Sequence, residues 1–315
     1  MLLEPLPPSP AGAGPREAVW RAVGVEYVRG GKVHSAYLRT NSLPLGTASA
    51  ASRGVLLACG SVGTPQLLLA SGVGPPAPLA AAGIEQRVRS DEVGKGLQSQ
   101  PTVAVVAEIA GSIFQSGGPA IATEWIVYID ALATAVASAG GEKISYGALG
   151  SPGFSAGAFL ASPFSYSGEP DVQLTLYPSF MDTRAPRSSI DAASSSSSGG
   201  LLLVTVTLLS AESTQEVRLN STAPLDGSAL LEPSSFSSTL SSGDIDRLCW
   251  GVQAARRVLA ADPLRQLVAI ELAPGASADS QQLRDWVLRT AYAGPQRAGS
   301  TRMGSDEVSH RPLLL

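Results

Sequence analysis

Hydrophobic positions change their period several times along the chain, and each change marks an element. Val23–Tyr27 and Val33–Leu38 alternate apolar and polar residues around Arg29-Gly30-Gly31-Lys32. A glycine pair supplies the positive φ that a two-residue turn requires, so this spacing predicts a β-hairpin. Val55–Cys59 is an unbroken apolar run and reads as a strand buried on both faces. Gly60–Gly63 then turns the chain, Thr64 is the expected cap and Pro65 the first helical residue of a helix running to Ala70 and stopped by Gly72. From Pro101 onward the pattern changes to strand-like runs, Val103–Ile109, Val172–Tyr177, Leu201–Leu209 and Glu216–Leu219, separated by Gly- and Ser-rich stretches. These predict a mostly antiparallel layer. Two helices follow. Asp244 is the expected cap of the first, whose apolar positions Ile245, Leu248, Cys249, Val252, Val258 and Leu259 fall on one side before Pro263. Asp279 and Gln282 have capping-box spacing ahead of the second, which carries Leu283, Trp286 and Val287.

Composition narrows the function classes. Charged residues make up 15% of the chain and hydrophobic ones 44%, with a net charge of -4, so no positive field gathers phosphate backbones and nucleic acid is not an expected partner. The 2 cysteines, Cys59 and Cys249, are far apart, and the 2 histidines are His34 and His310. Neither a disulfide scaffold nor a Cys- or His-rich metal site is expected. Cys59 reads as a small hydrophobe at the end of a buried strand, both histidines as solvated, and Trp20, Trp125, Trp250 and Trp286 as core or interface residues. Residues 1–20, rich in Pro, Gly and Ala, read as a disordered leader without the features of a secretory signal, and the serine run Ser194–Ser198 as a surface loop. No charge occurs from Gly54 to Ile84, but the stretch holds six glycines and four prolines. So many breakers exclude a lipid-exposed spanning helix.

Generic motifs do not locate the chemistry. The turn Gly60–Gly63 lacks both the G-x-G-x-x-G spacing and the Walker lysine, and tight packing is its first reading. The longer word is more specific. Gly60-Ser61-Val62-Gly63-Thr64-Pro65-Gln66-Leu67-Leu68-Leu69-Ala70-Ser71-Gly72-Val73-Gly74-Pro75 resembles the second signature of the glucose-methanol-choline (GMC) flavoprotein oxidoreductases. Leu79-Ala80-Ala81-Ala82-Gly83-Ile84 and Val93-Gly94-Lys95-Gly96-Leu97-Gln98 continue the resemblance in order. Arg21–Tyr27 resembles the family's R-A-x-G-V-E-Y strand and Gly299-Ser300-Thr301-Arg302-Met303-Gly304 its G-T-C-R-M-G.

The resemblance implies a mixed α/β and α+β fold, part of an FAD-binding domain joined to an antiparallel-sheet substrate domain. Residues 21–100 and 291–315 would belong to the first and 101–290 to the second. It also implies that the chain is truncated at both ends, because the family's opening G-x-G-x-x-G unit and its closing flavin-side segments are not found. FAD is the implied cofactor, with Gly60, Ser61, Thr64 and Pro65 beside it, and an apolar, alcohol-like or fatty-acid-like small molecule is the implied substrate. Leu97-Gln98-Ser99-Gln100-Pro101, Gly157-Ala158-Phe159-Leu160 and Pro170–Leu174 are similar to the algal fatty acid photodecarboxylase branch. That alignment puts Phe154 where the branch has its photochemical cysteine and Thr175 where it has its carboxylate-binding arginine. Alcohol-oxidising members carry a histidine three residues before the G-T-C glycine, and here that position is Gln296. Three readings follow: an FAD-dependent oxidoreductase acting on CH–OH groups, a silent GMC-like remnant that binds an apolar ligand or partner, and a photodecarboxylase-like protein.

Overall fold

A computed structural model describes residues 1–5, 20–38, 54–109, 156–165, 168–177, 201–223 and 229–302. The chain forms two compact units, one of Met1–Gln98, Thr214–Ser234 and Arg297–Leu315, the other of Ser99–Ser213 and Ser235–Gln296. Thr214–Ser234 thus packs with the first unit, whereas the sequence pattern grouped it with the second.

In the first unit, β1 (Leu2–Pro5), β2 (Trp20–Arg29) and β3 (Lys32–Tyr37) form a three-stranded sheet in chain order. The hairpin forms as the alternation predicted, with φ of 59° at Gly30 and 73° at Gly31, the doubly positive pair of a type I′ turn. The expected disordered leader is corrected at its start. Residues 2–5 pair with Trp20–Gly24, because Leu3 buries its side chain beside Ala22. Residues 6–19 lie outside the described part.

The expected buried strand Val55–Cys59 does not form. Leu56 is 90% exposed and Cys59 is exposed, so the reading of Cys59 as a buried hydrophobe is corrected too. A strand buried on both faces needs hydrogen-bonded neighbours on both edges. The strands β4 (Val73–Gly74) and β5 (Val88–Arg89) form a short parallel pair, and among the described residues nothing pairs with residues 55–59. The following helix, α1 (Gly60–Ala70), starts earlier than predicted, so Pro65 lies inside it and not at its first position. Thr64 does not cap it in the ordinary sense; its Oγ1 accepts the amide of Cys59 at 3.2 Å. Gly72, at φ +80°, ends the helix as expected. Leu68 and Leu69 of α1 pack with Val73, Leu79 of α2 (Pro76–Ala81), Val93 and Leu219 in the core of this unit. Strand β10 (Thr214–Leu219) pairs with β11 (Ala229–Glu232) and, through Thr214 and Gln215, with Gln98 and Leu97.

The second unit is built on an antiparallel sheet, the predicted layer. Strand β6 (Leu97–Ile109) pairs with β9 (Leu201–Leu208), β9 with β8 (Val172–Tyr177) and β8 with β7 (Ala156–Leu160). Strands β12 (Val268–Ala273) and β13 (Tyr292–Ala298) also pair with β6. Alternate residues Val103, Val105, Val204, Val206, Leu208 and Val172 face the helices α3 (Ser242–Leu259) and α5 (Ser280–Thr290). Val106, Leu201 and Leu203 form a second buried cluster, so β6 and β9 bury residues of both parities, which explains their unbroken apolar runs.

Helix α5 carries the predicted capping box, with Asp279 and Gln282 each bonding the other's amide. For α3 the cap is corrected. Ser241 caps it and accepts the amide of Asp244 at 3.0 Å. The Asp244 carboxylate is committed elsewhere: it accepts the amides of Glu212 and Ser213 at 3.1 and 3.0 Å, the Ser213 hydroxyl, and Arg247. Ile245, Leu248, Val252 and Leu259 are buried as expected, whereas Val258 is 41% exposed. After α3 the short helix α4 (Leu264–Leu267) leads into β12. No helix among the described residues is long and apolar enough to cross a membrane.

Candidate functional site

Pro65 inside α1 creates a local problem. A proline has no amide to give the carbonyl four residues back, which here belongs to Ser61. The structure supplies another donor: the hydroxyl of Ser300 bonds the Ser61 carbonyl. Ser300 is 1% exposed, and its own carbonyl accepts the amide of Gly94 at 2.9 Å. The carbonyl of Gly94 in turn accepts the Val217 amide at 2.7 Å. Gly299, at φ +94°, leaves no room for a side chain, since a Cβ there would stand 2.5 Å from the Gly96 carbonyl oxygen. Arg302 closes the arrangement with an ion pair to Glu92 at 3.0 Å. Three segments far apart in sequence, 60–65, 92–96 and 299–302, therefore meet at one place in the first unit.

The first turn of α1 is the open edge of this arrangement. First-turn amides have no acceptor within their own helix, and the turn holds no acidic residue to occupy them. Gly60, at φ +78°, has nothing within 4 Å of where a Cβ would be. The predicted site residues Gly60, Ser61, Thr64 and Pro65 lie together at the start of α1, where Gly60 and Ser61 offer first-turn amides and Ser61 a hydroxyl, all neutral donors. Such a set fits an anionic or acceptor-rich group. Beside it, but reaching only Gly63 of this turn, an open groove of about 700 Å³ runs between Tyr27, Val28 and Val33 of the hairpin and Gln66 and Leu67 of α1. Arg87 at its rim lies over the Trp20 ring, 5.8 Å from the centroid.

The other predicted residues lie elsewhere in the chain or outside the described part. Phe154 lies outside the described residues, as do Trp125, His310 and the serine run. Thr175, on β8, is 7% exposed and belongs to the second unit. Its hydroxyl accepts from Gln173 at 3.2 Å, and its carbonyl from Thr205 at 3.5 Å. Gln296, on β13, is exposed. Strands β8 and β13 are not neighbours in the sheet. His34 is exposed and stacks on Tyr27 with ring centroids 5.4 Å apart. Cys249 is half-buried, and burial pushes its thiol up from 9.0 to about 11. No group of three or more His, Cys, Asp or Glu among the described residues is arranged to hold a metal ion.

Ser300 is the residue that the reading of motifs passed over. A signal for it exists in the sequence: a proline five residues past a helix start leaves a carbonyl that needs another donor.

The chain is similar in sequence and fold to known proteins. The family model for GMC oxidoreductases matches residues 17–102. The chain is 29% identical over 271 residues to the chloroplastic fatty acid photodecarboxylase of Chlamydomonas reinhardtii, covering 84% of this chain and 43% of that protein. It is 26% identical over 262 residues to the choline oxidase of Arthrobacter globiformis, covering 82% and 40%. Among solved structures, it superposes on the Aspergillus oryzae formate oxidase with a TM-score of 0.67 at 22% identity, covering 90% of this chain and 48% of that one. A pyridoxine 4-oxidase gives a TM-score of 0.64 at 17% identity, covering 92% and 46%. The chain spans less than half the length of these relatives.

Proposed function

As a relative of the GMC oxidoreductases, this chain, we propose, supplies part of an FAD-dependent oxidoreductase that acts on CH–OH groups of a small molecule. The observation that carries the reading is the meeting, in the first unit, of 60–65, 92–96 and 299–302, each of which overlaps a segment of the family resemblance. We assign that unit to the FAD-binding domain and the second unit to the substrate domain.

Bound FAD supplies the two-electron acceptor for oxidation of the carbinol carbon. The chain's own residues bind and orient. The amides at Gly60 and Ser61 and the Ser61 hydroxyl would hold FAD by donating to its acceptor groups, while Thr64 holds the Cys59 amide and so fixes the entry to the turn. Gln296 has no proton affinity near neutral pH, so it orients an alcohol hydroxyl without taking its proton. A threonine at 175 offers a carboxylate one neutral hydroxyl in place of a guanidinium, which argues against the photodecarboxylase reading.

The test is reconstitution with FAD, followed by alcohol oxidation in the dark and fatty acid loss under blue light. Slow alcohol turnover that rises on Gln296→His, by as much as the roughly 10²- to 10⁴-fold of a general base, is the expected result. Fatty acid loss under blue light alone would overturn the assignment in favour of the photodecarboxylase reading. Bound FAD with silence in both assays would favour the remnant that merely binds.

A further inference from the structure

Helix α1 contains a proline at a position where an uninterrupted helix would use an amide, and the pyrrolidine ring also presses on the carbonyl four residues earlier. Left alone, the Ser61 carbonyl would lack a partner and the turn 60–63 would be free to tilt. Ser300 answers both. Its hydroxyl bonds the Ser61 carbonyl, and it is itself held, since its carbonyl accepts the Gly94 amide at 2.9 Å and its side chain is almost wholly buried. Gly299 before it, at φ +94° and against the Gly96 carbonyl, brings the backbone close enough for both bonds.

We propose that Ser300 is a positioning residue: its hydroxyl replaces the amide that Pro65 cannot supply, and thereby fixes the first turn of α1 against the 92–96 loop and aims its donors at the cofactor. This rests on the reading that the first turn of α1 faces FAD. Ser300 touches no cofactor atom in this scheme and acts through Ser61. Serine or threonine at 300 satisfies it, and residues without a hydroxyl do not.

The experiment is a double-mutant cycle on the full chain, Ser300→Ala and Pro65→Ala separately and together, with Ser300→Thr as the conservative control. FAD binding is read by quenching of flavin fluorescence and stability by the urea midpoint. With Pro65 in place, Ser300→Ala is expected to weaken FAD binding about tenfold, as loss of one hydrogen bond to an otherwise unpartnered carbonyl implies, and Ser300→Thr to stay within about twofold. With alanine at 65 the amide returns, and the effect of Ser300→Ala on both readouts is expected to fall by more than half. Equal effects of Ser300→Ala in the two backgrounds, or none in either, would overturn the proposal. If the unaltered chain quenches no flavin fluorescence, the reading of α1 as a flavin edge fails, and the urea cycle alone decides on Ser300: non-additivity sustains its positioning role and additivity ends it. Should Ser300→Ala not fold, Ser300→Cys, which keeps the shape with a weak donor, takes its place in the cycle.

Discussion

Asp244 and Arg247, one turn apart on α3, meet at 2.6 Å with the aspartate side chain fully buried and that of the arginine 6% exposed. The pair fastens the 210–213 loop to the helix, for Arg247 also bonds the Ser210 carbonyl at 2.8 Å while Asp244 takes the amides of Glu212 and Ser213. Removing one partner of such a pair leaves a buried charge and several buried donors uncompensated. Asp244→Ala is expected to lower the unfolding free energy by about 3–5 kcal/mol. Urea denaturation checks this, and a loss below about 1 kcal/mol would show the network to be dispensable.

Gly251 sets the approach of α3 to the sheet. A Cβ there would stand 2.3 Å from Cγ1 of Val206 and 3.1 Å from Cγ1 of Val172. Alanine improves helix propensity by about 1 kcal/mol, but overpacking a tight core costs about 1–3 kcal/mol. Gly251→Ala is therefore expected to destabilise on balance, and Val206→Ala in the same chain to recover part of the loss. Independent, additive midpoints for the two substitutions would contradict the contact.

Gly31 makes the opposite case, since nothing lies within 4 Å of where its Cβ would be and only its φ of +73° constrains it. Gly31→Val is expected to cost about 1–2 kcal/mol through the backbone alone, and Gly30→Asn, which preserves a favoured turn pair, close to nothing. Thermal unfolding distinguishes the two.

Cys249 gives the stability a defined slope in base. Burial raises its thiol from 9.0 to about 11, so the folded protein holds this proton more tightly than the unfolded chain does. The contribution is whole below pH 9 and is lost as pH rises toward 11. Cys249→Ser is expected to flatten the decline of the urea midpoint over that window. Alkylation at neutral pH should accordingly modify Cys59, which is exposed, well before Cys249.

Much of the fold was legible because it depends on local chemistry. The glycine pair 30–31, the Asp279–Gln282 box and the stripe of Leu283, Trp286 and Val287 each act within a few residues, and each element appears where its pattern put it. What failed depended on distant partners. Val55–Cys59 has a strand's composition, yet a strand exists only where another backbone pairs with it. Asp244 has a cap's composition, yet Ser213 and Arg247 claim its carboxylate. At the candidate site the motif pointed to Gly60, Ser61, Thr64 and Pro65 but not to the donor that Pro65 makes necessary, because that donor lies 239 residues from Ser61.

That separation has a consequence for how the chain is made. Five segments alternate between the two units, so synthesis passes from one to the other four times before Ser300 is made. Helix α1 leaves the ribosome with its Ser61 carbonyl unpaired and must wait for Ser300. At roughly 5–20 residues per second, 239 residues of delay amount to about 10–50 s. During that interval Leu56 and the open end of α1 are available to chaperones, and a segment made 239 residues later completes α1.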